Sequence, residues 1–269
     1  MRPRVEGLVL AALVTLAGSA QADTLRVCAD PSNLPFSNRD GAGFENRIAQ
    51  LVGRDLGEAV TYDWERQRAN SIEKAIADGK CDLAIGVPKG LDTLETTQPY
   101  YASTYVFVTR TTDSLHLTSL RDMRLRSLKI GVHLIGDDDA PPEVALGEEG
   151  IVDNVTGFMI YGDTSKPNPP SRLIEAVEGR KIDAAIVWGP LGGYFAERSP
   201  VPLTVTPVSD AQSFAPLKFQ YAIAMGVRKG DFKMRARLDV VLVRERAAIA
   251  KILESYGVPL VHAKESSDG

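Results

Sequence analysis

Only two cysteines, two tryptophans and three histidines occur in 269 residues, and no low-complexity tract interrupts the chain. The two cysteines show no zinc-type spacing, and His116, His133 and His262 lie far apart in sequence. Acid exceeds base, giving a formal net charge of −4, which argues against the clustered Lys and Arg that nucleic acid demands. No G-x-S-x-G, H-E-x-x-H, P-loop or calcium-loop pattern is present. Gly41-Ala42-Gly43 opens a helix but lacks the third glycine of a dinucleotide loop. Asp137-Asp138-Asp139 with Glu143 reads as a solvated turn that caps a helix, so neither metal nor cofactor is expected.

Long apolar runs are confined to one place. Arg2 and Arg4 precede Leu8 to Ala17, followed by the small residues Gly18-Ser19-Ala20-Gln21-Ala22. A basic start, a short apolar stretch and an A-x-A-like end make a cleavable secretory signal over residues 1–22. The run is shorter than the roughly 20 residues of a spanning helix. Cleavage near Ala22, with no cysteine just after it to carry lipid, predicts a soluble periplasmic chain. In an oxidising compartment Cys28 and Cys81 would pair. Their placement argues the other way, because Cys28 ends one strand and Cys81 begins another. Parallel neighbours would then sit several rungs of about 3.3 Å apart, whereas a disulfide needs Cα atoms within about 7 Å. Both states stay open.

What is present is alternation. Leu25–Ala29, Ala59–Trp64 and Cys81–Gly86 read as strands separated by helices at Phe44–Leu56 and Ser71–Ala77, which Gly57 and Gly79 stop. Strand Thr104–Arg110 follows and the pattern restarts. Strands are expected at Leu128–Val132, Val155–Ile160 and Ile182–Val187, with helices from Pro141 and over Ser171–Val177. Strands Leu203–Thr206 and Gln220–Met225 and a long amphipathic helical region, Phe232 to Tyr256, close the chain. Two β-α-β-α-β blocks, one inserted in the other, give an α/β protein of two lobes with mostly parallel sheets. The expected lobes are residues 23–110 with 216–269, and residues 111–215. Ligands of such sheets bind beyond the carboxyl ends of the strands, which puts the loops after Ala29, Gly86, Val132 and Val187 at the cleft.

Several phrases carry a family resemblance. Gly79-Lys80-Cys81-Asp82-Leu83, Gln98-Pro99-Tyr100-Tyr101 and Ile252-Leu253-Glu254-Ser255-Tyr256-Gly257 resemble the extracellular solute-binding proteins of family 3, which have the type II periplasmic binding fold. Longer ones are similar to its MxaJ/XoxJ branch, associated with PQQ-dependent methanol dehydrogenases. These are Cys28 to Asn38, Gly43-Phe44-Glu45-Asn46, Lys129 to Asp138, Ile160-Tyr161-Gly162-Asp163, Asn168-Pro169-Pro170 and Val187 to Phe195. The resemblance implies a binding protein without catalytic activity. Its implied partner is the dehydrogenase or its apo form, with the c-type cytochrome as a further candidate, and its implied state is monomeric. Import of an uncharged solute is the alternative.

The departures from the parent family bear on function. Its amino acid binders clamp a carboxylate with Arg after the third strand, where this chain has Val87-Pro88-Lys89-Gly90. Lys89 brings a point charge but not the guanidinium fork. They hold the ammonium group with Asp after the last strand of the second lobe, where this chain has Trp188 before a Gly189-Pro190 turn. A zwitterion there would lose both anchors, at a cost of several kcal/mol. The expected cleft residues are Asp30, Asn33, Phe36, Pro88, Tyr100, Tyr101, His133, Trp188 and Tyr194. They form a largely aromatic surface suited to a protein segment. Tyr100, Tyr101 and Phe195 fit a lobe core equally well.

Overall fold

A computed structural model describes residues 23–65, 70–134, 140–159 and 169–262. Residues 1–22, expected to form a signal segment, Asp137-Asp138-Asp139 and the phrase Ile160 to Asp163 therefore lie outside the described residues. The first block runs β1 (Thr24–Ala29), a small hairpin of β2 (Ser32–Asn33) and β3 (Ser37–Asn38), then α1 (Phe44–Leu56) and β4 (Ala59–Trp64). It continues through α2 (Ser71–Ala77), β5 (Leu83–Pro88) and β6 (Leu94–Thr96). After β7 (Tyr101–Arg110) the second block is β8 (Ile130–Leu134), α3 (Pro141–Glu148), β9 (Val155–Met159) and α4 (Arg172–Glu178). It ends with β10 (Ala184–Trp188), α5 (Gly189–Glu197) and β11 (Leu203–Pro207). Finally β12 (Gln220–Arg228), α6 (Phe232–Arg244) and α7 (Arg246–Ser255) complete the chain.

β1 lies parallel between β4 and β5, with Val27 opposite both Tyr62 and Leu83. β8 lies parallel between β10 and β9. Two long antiparallel strands join these groups. β7 pairs with β12 through residues 101–104 and with β10 and β11 through residues 105–110. β12 continues past β7 to pair with β5 and β6. The strand expected at Thr104–Arg110 is therefore longer at its start.

Each group of strands is covered on both faces, which is why its strands read as unbroken apolar runs. In the first, Leu25, Val27, Leu83 and Ile85 meet Phe44, Ile48 and Val52 of α1, and Leu238, Val241, Ile249 and Leu253 of α6 and α7. Its other face joins Cys28, Ala84 and Val87 to Ile76 and Cys81. In the second, Phe107, Ile130, Val132 and Ile186 pack on Leu120, Leu146 and Phe214. Val106, Val108, Ala185 and Val187 pack on Leu173, Val177 and Leu191. Gly57 ends α1 as expected, at a φ of 72° that favours glycine.

Two local expectations change, and two open points are settled. Cys28 and Cys81 are bonded, with Cα atoms 5.5 Å apart. Cys81 is not a rung of the sheet, because β5 begins only at Leu83 and the chain reaches it by a turn under β1. The Gly189-Pro190 turn is the start of α5, where a proline in the first turn is compatible with the helix. Gly193 lets α5 close on the tail, since a β-carbon there would overlap the Gly257 carbonyl oxygen. The terminal helical region consists of two helices that meet at Glu245. No helix among the described residues is long and apolar enough to cross a membrane.

Candidate binding cleft

The carboxyl ends of β1 and β5 and the start of α1 converge in the first lobe, at the edge where doubly wound sheets bind ligands. Asp30 is buried there, and its Oδ1 accepts from the Ser32 amide at 2.7 Å. Ser37 Oγ donates to the Asp30 carbonyl and accepts from its amide, fixing the loop after β1. Asn33 is buried in the same loop, and Phe36 sets its ring 5.3 Å from Phe44. Pro88 is exposed at the end of β5. Tyr100 is half-buried and donates to the Ile85 carbonyl at 3.0 Å, while Tyr101 lies in the core. Burial pushes both phenols well above their ordinary range.

Glu45, in the first turn of α1, joins this group. Its carboxyl rests against Gly86, where any side chain would overlap Oε1. Burial, then the nearby Asp30, pushes its pKa up to about 8, so it is a neutral acid at pH 7. Glu45 thus stands beside Asp30, the one acid among the expected cleft residues. A residue at helix spacing shows its neighbours along the helix but not the loop it faces.

On the second lobe, alternation along β8 puts His133 on the same side as Gly131, which lies against Leu173, Ile182 and Phe158. His133 is buried, and burial drives its pKa down to about 3 despite a hydrogen bond to the Pro170 carbonyl. It is a neutral imidazole whose Nε2 has no partner. It bears on the cleft through Pro170, because the turn Pro169–Ser171 touches β2 across the lobes.

Trp188 is half-buried where the lobes join. Its ring meets Tyr105 edge-on at 5.5 Å and Tyr221 at 5.6 Å, and it packs against the cores of both lobes. Sequence reasoning missed Tyr105 and Tyr221, which read as ordinary strand residues. Tyr194 stacks on Tyr256 at 5.5 Å, and the Arg198 guanidinium lies against both rings, 3.9 Å from the centre of Tyr194 and 5.8 Å from that of Tyr256. Phe195 packs into the second lobe. The Lys89 ammonium donates to the Thr96 and Thr97 carbonyls, so it is turned from the cleft. No group of three or more His, Cys, Asp or Glu among the described residues is placed to hold a metal.

A two-lobed, doubly wound pair of sheets joined by two crossing strands is the type II periplasmic binding fold, and the model of the bacterial extracellular solute-binding proteins, family 3, matches residues 25–259. The chain belongs to that family. Protein MoxJ of Methylorubrum extorquens is 30% identical over 91% of this chain and 84% of its own length. Protein MoxJ of Paracoccus denitrificans is also 30% identical, over 93% and 95%. Among solved structures, the periplasmic binding protein XoxJ from Methylobacterium extorquens AM1 superposes with a TM-score of 0.72 at 33% identity, covering 88% of this chain and 99% of that one. MxaJ from Methlophaga aminisulfidivorans MPT gives 0.78 at 24% identity over 88% and 100%, a likeness of fold.

Proposed function

We propose that the protein is a periplasmic accessory of a PQQ-dependent methanol dehydrogenase, binding a segment of the dehydrogenase or its apo form between its lobes. The jaws are residues 23–110 with 216–269, and residues 111–215, joined along β7 and β12. The observation that carries this reading is the replacement of the family's charged clamps. Lys89 is tied to backbone carbonyls and Trp188 is packed between lobes, which leaves no guanidinium fork and no ammonium-binding Asp at those positions. A cleft without these anchors is poorly suited to a free amino acid and better suited to a hydrophobic protein segment. The MoxJ and XoxJ relatives supply the biological setting. The protein catalyses nothing, acts as a monomer after cleavage near Ala22, and has the c-type cytochrome as a second candidate partner.

The test is calorimetric titration of the mature protein with purified dehydrogenase, its apo form and the cytochrome. Saturable binding of either dehydrogenase form supports the reading. Binding of none, together with uptake of an uncharged small solute, would move the protein to the importers.

A further inference from the structure

Helix α5 belongs to the second lobe, where Leu191 and Phe195 pack into the core, yet its opening turns lean on the first lobe. Tyr194 stacks on Tyr256, which follows α7 in the first-lobe core, with the ring planes only 16° apart. Arg198 lies against both rings and donates to the Ser255 carbonyl, while Arg47 of α1 covers Tyr256. The Tyr256 hydroxyl donates to the Ala42 carbonyl, which ties this residue to the first lobe. One step further on, α5 and the tail touch backbone to backbone. A β-carbon at Gly193 would fall 1.9 Å from the Gly257 carbonyl oxygen, and one at Gly189 would meet the Thr104 carbonyl and Pro259. From there the tail follows β7 through the junction. Ser103 Oγ donates to the Pro259 carbonyl at 2.6 Å, and the Val261 amide donates to the Ala102 carbonyl at 3.0 Å. At residues 102 and 103, β7 therefore runs between β12 and the tail.

In a hinge-bending clamshell, a few residues of the crossing strands change φ and ψ while the lobes move as rigid bodies. Such a rotation about β7 and β12 would have to part the Tyr194–Tyr256 stack and slide Gly193 off Gly257. Side chains at a moving interface can change rotamer and keep contact, but two touching backbones cannot. The tail has no slack either, because α7 holds its start and β7 its end. We propose that Tyr256–Val261 is a strap that holds the two lobes at one angle in the free protein, so that the cleft is preformed and does not open and close about β7 and β12. A cleft held ready in this way loses no binding energy to ordering its jaws, whatever it holds.

The experiment measures, by pulsed electron paramagnetic resonance, the distance between spin labels on Lys74→Cys in α2 and Glu148→Cys in α3. Both sites are exposed, lie in opposite lobes and stand clear of the tail. The native cysteines are bonded to each other, so only the introduced pair takes label. The otherwise wild-type protein should give a single narrow distribution. Two variants loosen the strap by different routes. Gly193→Ala suits a helix better than glycine does and intrudes only on the tail. Tyr194→Ala removes the stack and leaves every backbone contact in place. Each should widen the distribution or displace its mean, with far-ultraviolet circular dichroism unchanged. Each should also speed hydrogen exchange of the Val261 amide about tenfold, the scale of one lost aromatic pair. A wild type with two distances or one broad distribution overturns the strap, as does a Val261 amide that exchanges like an unstructured chain. Variants that fold and keep the wild-type distribution overturn it too. If one variant fails to fold, the other and the two wild-type measurements decide.

Discussion

Replacing Trp188 by alanine should unfold the junction between the lobes before it can report on any ligand. The ring touches both cores and meets Tyr105 and Tyr221 edge-on at 5.5 and 5.6 Å. Truncating a fully buried tryptophan costs about 3–5 kcal/mol, and each aromatic pair carries about 0.5–1.5 kcal/mol of that. Trp188 keeps part of its surface in solvent, so the lower end, about 3 kcal/mol, is expected. In a domain of this size each kcal/mol lowers the melting point by about 2–4 °C, which gives a loss near 10 °C. Urea unfolding followed by far-ultraviolet circular dichroism measures the change without relying on the lost fluorophore. Trp188→Phe, which keeps an aromatic edge, should recover at least half. A double substitution with Tyr221→Leu should fall short of the sum of the two singles by about 1 kcal/mol, since the rings share one contact. If Trp188→Ala unfolds within about 0.5 kcal/mol of wild type, the ring does not wedge the lobes, and it becomes free to serve as a ligand anchor.

Converting Cys28 and Cys81 together to serine opens a loop with a sequence separation of 53. Chain entropy puts the loss at about 4 kcal/mol, readable as a lower urea midpoint that dithiothreitol no longer changes; an unaltered midpoint contradicts it. Stability should also depend on pH through two groups of opposite sign. Glu45, raised in the folded state to about 8, contributes stability that is complete below about 4.5 and lost as pH rises through 8. His133, lowered to about 3, contributes stability that is complete above about 6.5 and lost as pH falls through 3. Between about 6.5 and 8 only Glu45 acts, at about 1.4 kcal/mol per pH unit, so Glu45→Gln should flatten the wild-type decline in that window, and a parallel decline would refute the linkage. Finally, calorimetry with a mixture of the common amino acids should show no heat of binding, and micromolar affinity for any of them would reveal anchors other than Lys89 and Trp188.

Most of the fold was legible because burial on both faces of a sheet writes itself into sequence. The apolar stretches around Val27, Ile85, Val132 and Ile186 could only be strands covered on two sides, and the helices between them forced parallel pairing. The departures share one cause. Glycine and proline mark possible breaks, but tertiary contact decides which are used. Gly189-Pro190 reads as a turn, yet Gly192 and Gly193 allow a helix to lie flush on Val106, Val187 and the Gly257 carbonyl, and packing overrides a poor propensity. Conversely, the apolar spacing of Leu238, Leu242, Ile249 and Leu253 runs through Glu245 unchanged, so periodicity carries no trace of the interruption between α6 and α7. Cys81 misled in the same way, since a parallel register holds only for residues inside the strand.

The cleft was legible in its edges and opaque in its centre. Strand ends named Asp30, Pro88, His133 and Trp188, because topology alone puts them there. Which way a side chain turns is a three-dimensional fact. His133 turns under Pro170, Tyr194 toward Tyr256, and Trp188 into the junction. Glu45 turns the other way, out of a helix that sequence would assign to the core. The clue was the pairing of an acid in the first turn of α1 with a glycine in the third parallel strand, 41 residues on. Neither residue is informative alone. Glu45 needs the empty space of Gly86 to lie flat against β5, and once there it is close enough to Asp30 that ionising both is unfavourable.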